Sequence, residues 1–122
     1  MKKFLLPIIL LCSAALAAPT SKYVGVASWY GREHQGRVMA NGERFDADKL
    51  TAAMQSVPLG TLIHVVNLEN GKAVDVVITD RGPAHRLRRV IDLSEKAATV
   101  LEFKVQGLAH VGYLPSGRAP EF

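Results

Sequence analysis

Cysteine is nearly absent from this chain: Cys12 is the only one in 122 residues, and it lies inside an apolar N-terminal segment. A disulfide framework within one chain is excluded, and so is a cysteine-rich metal site. Excess charge of one sign is also scarce. The 15 Lys and Arg residues face 11 Asp and Glu, and two of the basic ones are Lys2 and Lys3. Without that pair the balance is 13 to 11, a net +2, which argues against a general polyanion binder and so against a nucleic-acid partner. The histidines His34, His64, His85 and His110 lack close ligand spacing, so no metal is expected. There is no phosphate-cradling glycine loop and no serine-nucleophile elbow, hence no nucleotide and no other cofactor.

A long apolar run is missing too. The stretch from Phe4 to Leu16 is almost wholly apolar but shorter than the roughly 20 residues of a spanning helix. Preceded by Lys2-Lys3 and followed by the small-x-small site Ala15-Leu16-Ala17, it reads as a secretory signal peptide over residues 1–17. Cleavage is expected after Ala17, because cleavage after Ala18 would leave Pro19 next to the scissile bond. A lipidation signal places a small residue before its cysteine. Here Leu11 stands there, so Cys12 is expected to leave with the leader instead of anchoring the protein. The expected destination is the periplasm or cell envelope. About 105 residues remain, enough for one modest core that must hold the domain without disulfides.

Residues 18–22 read as a tether. Tyr23 to Tyr30 reads as a strand, with Val24, Val26 and Ser28 alternating against Tyr23, Ala27 and Trp29. Gly31 to Asn41 is polar and glycine-bearing, a loop. Phe45 to Ala53 is expected to hold one helical turn with Asp46 as N-cap. Leu62 to Leu68 and Ala73 to Thr79 form the clearest local signal, two β-rich runs joined by Glu69-Asn70-Gly71-Lys72. Asn-Gly suits the positive backbone angles of a hairpin turn. Val74, Val76 and Ile78 then share one apolar face that should meet the core. Val90 to Leu93 is a short strand. Ser94 can cap a helix from Glu95 to Phe103, buried along Ala97, Ala98 and Leu101. Leu108 to Leu114 is a last strand, and residues 115–122 read as a flexible tail. The fold class is mainly β with one or two short helices, and closure into a small barrel would remove exposed edges. No internal repeat or second domain is visible, and a monomer is expected.

Several motifs follow one another in a fixed order. They are Gly25-Val26-Ala27-Ser28-Trp29-Tyr30-Gly31, Ala40-Asn41-Gly42-Glu43-Arg44-Phe45-Asp46, Leu50-Thr51-Ala52-Ala53, Pro58-Leu59-Gly60-Thr61, Asp80-Arg81-Gly82-Pro83 and Arg89-Val90-Ile91-Asp92-Leu93-Ser94. In this order they resemble the rare lipoprotein A family. The resemblance implies a six-stranded double-psi β-barrel over residues 23–114. It also implies a lytic transglycosylase that cleaves the bond between N-acetylmuramic acid and N-acetylglucosamine in peptidoglycan glycan strands, leaving a 1,6-anhydro end. One carboxylic acid suffices for that chemistry if it holds a proton near neutral pH. Ordinary glycosidases need two carboxylates.

By the same resemblance Asp80 is the candidate acid/base, with Glu43 and Asp46 beside it in the groove. From the residues alone, Asp80 could equally nucleate an Asx-turn or pair with Arg81, while Glu43 could belong to a turn and Asp46 to a helix cap. Asp92 reads as structural, a cap or loop clamp. Trp29 and Tyr30 are candidate sugar platforms, and since successive strand residues face opposite ways, only one can be outside the core. Asn41 is a further candidate substrate contact. Arg81, Arg88 and Arg89 could meet the muramoyl carboxylate or an anionic polymer, although His85-Arg86-Leu87-Arg88-Arg89 also reads as a plain solvated loop. Two positions depart from the family pattern: Met39 stands where it usually has threonine, and Met54 where it usually has a histidine of the presumed catalytic groove. The second departure raises an alternative, a non-catalytic peptidoglycan-binding module in the manner of expansins, which share the barrel. A third reading is an envelope scaffold for cell-wall or division proteins. Family members often carry an extra peptidoglycan-binding domain, which these residues do not include, so septal targeting is not implied.

Overall fold

The Asn70-Gly71 turn forms as the sequence requires. Gly71 takes φ +78, and Asn67 accepts backbone hydrogen bonds from Gly71 at 2.7 Å and Asn70 at 3.3 Å. It joins β3 (Thr61–Asn67) to β4 (Ala73–Asp80) as an antiparallel hairpin in register from Leu62↔Val77 to Val66↔Ala73. In this computed structural model residues 23–84 and 87–120 are described. The expected leader, tether and Cys12 lie outside them, as do His85 and Arg86.

The other strands are β1 (Tyr23–Tyr30), β2 (Thr51–Ala53), β5 (Ile91–Ser94) and β6 (Ala109–Arg118). They close in the order β1-β5-β2-β4-β3-β6. The β1–β5 and β2–β4 pairs are parallel and the rest antiparallel, so this is the mixed six-stranded barrel expected of a double-psi fold. Alternation sends Ile63 and Val65 of β3 and Val76 and Ile78 of β4 inward, where all four are fully buried beside Ile91, Leu93, Leu101 and Phe103. Each such side chain contributes about 1.5–3 kcal/mol on burial. A second small cluster of Met39, Phe45 and Ala47 packs under Tyr30.

Helix α1 (Glu95–Leu101) begins at Ser94, whose side chain accepts from the Ala97 N–H at 3.3 Å and donates to the Lys49 carbonyl at 2.6 Å. It is shorter than expected. Glu102 turns left-handed at φ +60, which sends Phe103 back into the core, and the Asn67 and Asn70 amides donate to the Leu101 carbonyl at 2.8 and 3.0 Å.

Two further expectations are corrected. Asp46 caps no helix: its Oδ1 accepts from the Asp48 N–H at 3.0 Å in an Asx-turn, and the chain passes into β2. Residues 115–118 are not a tail. β6 runs through Pro115 to Arg118, pairing Pro115 with Ile63 and Arg118 with Thr61 after a bulge that accommodates the proline.

Candidate active site

Three neighbouring strands, β4, β2 and β5, bring two carboxylates to one end of the barrel. Ala53 of β2 is in register with Asp80 of β4 on one side and with Asp92 of β5 on the other. The small Ala53 side chain leaves space between them. A cavity of about 160 Å³ opens there, lined by Tyr30, His34, Arg37, Val38, Met39, Phe45, Ala53, Asp80, Arg81 and Asp92.

The loop after β1 supplies the near wall. Asn41 Oδ1 accepts from the Glu43 N–H at 2.9 Å, and Gly42 takes φ +90, so Asn41-Gly42-Glu43 is a tight turn. The turn lies against the end of β4. There the Asn41 N–H donates to the Thr79 carbonyl at 3.1 Å and the Ala40 N–H to Asp80 Oδ1 at 2.9 Å. The Arg81 N–H adds a second bond to the same oxygen at 2.9 Å. Two backbone donors hold that oxygen in place.

Asp92 faces Asp80 across Ala53. Ser28 is its register partner on β1, and Ser28 Oγ donates to Asp92 Oδ1 at 2.8 Å. Burial pushes the Asp92 carboxyl above the usual carboxylate range. The Ser28 bond and the charges of Arg89 and His34 oppose that rise, and Asp80 adds to it. Half-buried Arg89 thus acts near the site through its charge on Asp92.

Tyr30 closes the cavity from below. Its ring lies 4.6 Å from Phe45 at 30° and 5.6 Å from His34 at 74°, so neighbours already occupy its surroundings. Its hydroxyl is buried without a hydrogen-bond partner. Burial, then Asp80, then Asp92 push its ionisation well above the ordinary tyrosine range, so it remains a neutral donor. An unpaired buried hydroxyl costs about 1–3 kcal/mol, and a ligand oxygen in the cavity would relieve that cost. Beside it, Arg37 Nη1 donates to His34 Nδ1 at 2.6 Å.

Not every expected site residue is here. Trp29 is the inward ring of its pair: it packs on the main core, and its Nε1 donates to the Lys104 carbonyl at 3.1 Å. It offers no sugar platform in this cavity. Glu43 and Asn41 line a separate groove of about 760 Å³ with Lys49, Thr51 and Arg118. Asp46 lines neither: its own turn bond to the Asp48 N–H holds its carboxyl low, aided by Gln35 Nε2 at 3.5 Å. The expected trio of Asp80, Glu43 and Asp46 is therefore not assembled, because the Asn41-Gly42 turn separates Glu43 from Asp80. Arg81 does line the cavity, but its Nη1 donates to the Met54 and Val57 carbonyls at 2.9 and 2.5 Å, which ties the β2–β3 connection to the site. Met54 is 1% exposed and belongs to the core. Met54 does not line the cavity in which the resemblance places the family's histidine.

Asp92 is the residue that sequence reasoning assigned a merely structural role. The signal that could have raised it is the shared pattern of Ser28 and Asp92 on strands that a double-psi barrel pairs in parallel.

The closed mixed barrel is a double-psi β-barrel, with two carboxylates at one end. Residues 22–113 match the family described as lytic transglycolase, and the chain belongs to that family. It is 47% identical over 87 residues to the endolytic peptidoglycan transglycosylase RlpA of Neisseria meningitidis, covering 71% of this chain and 36% of that protein. To the Rickettsia typhi protein of the same name it is 45% identical over 105 residues, covering 80% and 32%. The chain thus spans about a third of the length of these curated relatives. Among solved structures, an apo expansin of Clavibacter michiganensis aligns with TM-score 0.60 at 27% identity, covering 81% of this chain and 52% of that one. A papain inhibitor from Streptomyces aligns with TM-score 0.59 at 22% identity, covering 75% and 93%, which speaks to the fold alone.

Proposed function

We propose that this protein is an exported lytic transglycosylase of the cell envelope. It cleaves the glycosidic bond between N-acetylmuramic acid and N-acetylglucosamine in peptidoglycan and leaves a 1,6-anhydromuramoyl end. The observation that carries this reading is the placement of Asp80: a strand-end carboxylate, fixed by the Ala40 and Arg81 N–H groups, at a cavity shared with Asp92 and the unpaired Tyr30 hydroxyl. The kinship with proteins named endolytic peptidoglycan transglycosylases supports it.

In this reading carboxyl chemistry at the end of the barrel that holds Asp80 serves both halves of the reaction. A proton reaches the leaving glycosidic oxygen as its bond to the muramoyl anomeric carbon breaks. The muramoyl 6-hydroxyl then bonds to that carbon and gives up its own proton, so no water is consumed. General acid–base help of this kind is worth roughly 10²–10⁴-fold. The Tyr30 hydroxyl donates to a sugar or acetamido oxygen in the cavity.

The non-catalytic alternative drew on Met54. Met54 itself is 1% exposed in the core and does not line the cavity. The test is incubation of the purified protein with intact and amidase-stripped sacculi. Soluble anhydromuramoyl fragments are expected. Sedimentation with sacculi and no soluble fragments would instead make this a binding module.

A further inference from the structure

The two carboxylates of the cavity differ in what holds them. Both bonds to Asp80 Oδ1 come from backbone N–H groups, which hold that carboxyl in place as an acceptor. Among the described residues no backbone N–H donates to the Asp92 side chain. It is half-buried, its Oδ1 accepts one hydroxyl, Ser28 Oγ at 2.8 Å, and it sits across Ala53 from Asp80. Both carboxylates line one small cavity.

We propose that Asp92 is the proton donor of the reaction and Asp80 its base, an assignment that rests on the transglycosylase reading above. The Asp92 carboxyl gives its proton to the glycosidic oxygen. The bond from that oxygen to the muramoyl anomeric carbon breaks, and its electron pair leaves with the oxygen. A lone pair of the muramoyl 6-oxygen forms the new bond to the same carbon, and the 6-hydroxyl proton passes to Asp80. One bond forms and one breaks, and the net change in the protein is a proton moved from Asp92 to Asp80. Exchange with solvent restores the starting state. The buried Tyr30 hydroxyl, without a hydrogen-bond partner, belongs to the same cavity as both carboxylates.

The groups facing Asp92 are known from each side. Ser28 and Tyr30 come from β1, His34 from the turn after it, Arg89 from the segment before β5, and Asp80 from β4. Burial and Asp80 favour the protonated form, while Ser28, Arg89 and His34 favour the anion. Removing the Ser28 hydroxyl should therefore let Asp92 keep its proton to higher pH.

The experiment is the pH–rate profile of anhydromuramoyl release by the wild type, D92N and S28A, with sacculus sedimentation and thermal melts as controls. D92N is expected to lose about 100-fold or more in turnover while still sedimenting and melting cooperatively. S28A is expected to stay active with the basic limb of its profile moved to higher pH. D92N turnover within roughly threefold of wild type, or an S28A basic limb that does not move, overturns the assignment. A wild type that releases anhydromuramoyl ends alongside an unimpaired D92N defeats this inference alone. A wild type that releases none defeats it together with the reading it rests on.

Discussion

Asp80 and Asp92 stand one strand to either side of Ala53, the first paired with it in parallel and the second antiparallel. Strands lie about 4.8 Å apart, so the two α-carbons are separated by about 10 Å, with only a methyl group between them. A barrel end thereby gains two carboxylates facing a common space, from residues 12 positions apart in the chain. The relationship makes Ala53 the floor of the cavity and gives it consequences out of proportion to its size.

Enlarging that floor should block the site. A53V is expected to lower glycan cleavage about tenfold or more by displacing the substrate, while overpacking costs about 1–3 kcal/mol in stability. Turnover measured beside thermal melting separates the two effects. An A53V protein that melts lower but turns over normally would show that the space above Ala53 is not used.

The charge state of Asp92 links to stability. Its folded-state ionisation is raised, mainly by burial. The folded protein therefore binds that proton more tightly than the unfolded chain does. The resulting stabilisation is full below the unfolded value, about pH 4, and is lost as pH rises through the folded value. D92N removes that loss. Its melting temperature should exceed that of the wild type at pH 7, and the gap should shrink toward pH 4. The stabilising substitution would be the inactivating one, as expected where a site is maintained at a cost to the fold.

Met54 should behave as a core residue. M54L, which keeps volume and polarity, is expected to cost less than about 1.5 kcal/mol. M54H buries an imidazole beside Ile78 and Leu93 and should cost about 2–3 kcal/mol without raising turnover. Denaturant melts and the sacculus assay check both.

Asn67 is the polar keystone between hairpin and helix. Its buried amide donates to the Leu101 carbonyl, and its Oδ1 accepts from the Glu69 N–H at 3.0 Å. N67A leaves that carbonyl with only Asn70 and should cost about 2 kcal/mol, with the pH profile of turnover unchanged.

Much of this architecture was legible in the chain. Asn70-Gly71 announced the hairpin, the alternation of Val74, Val76 and Ile78 its buried face, and Ser94 the helix start, because each is decided by neighbours in sequence. Pro115 misled: it suggests the end of a strand, but a bulge in β6 at Ser116, opposite Leu62 and Ile63, admits it. Of the site, Asp80 was legible through its motif and its strand end. Asp92 was not, since its role depends on the β2–β5 pairing and on the small Ala53 between, neither of which local pattern encodes. The places of Glu43 and Met54 were illegible for the same reason. One turn decides which groove Glu43 enters, and strand register decides that position 54 points to the core.

The most direct test is the chemistry of the chain ends released from amidase-stripped sacculi, read by mass spectrometry for wild type and D80N. Muramoyl ends one water lighter than hydrolysis would leave are expected, and so is their disappearance in D80N with melting behaviour retained. Hydrated reducing ends from the wild type, or anhydro ends that persist in D80N, would contradict that expectation.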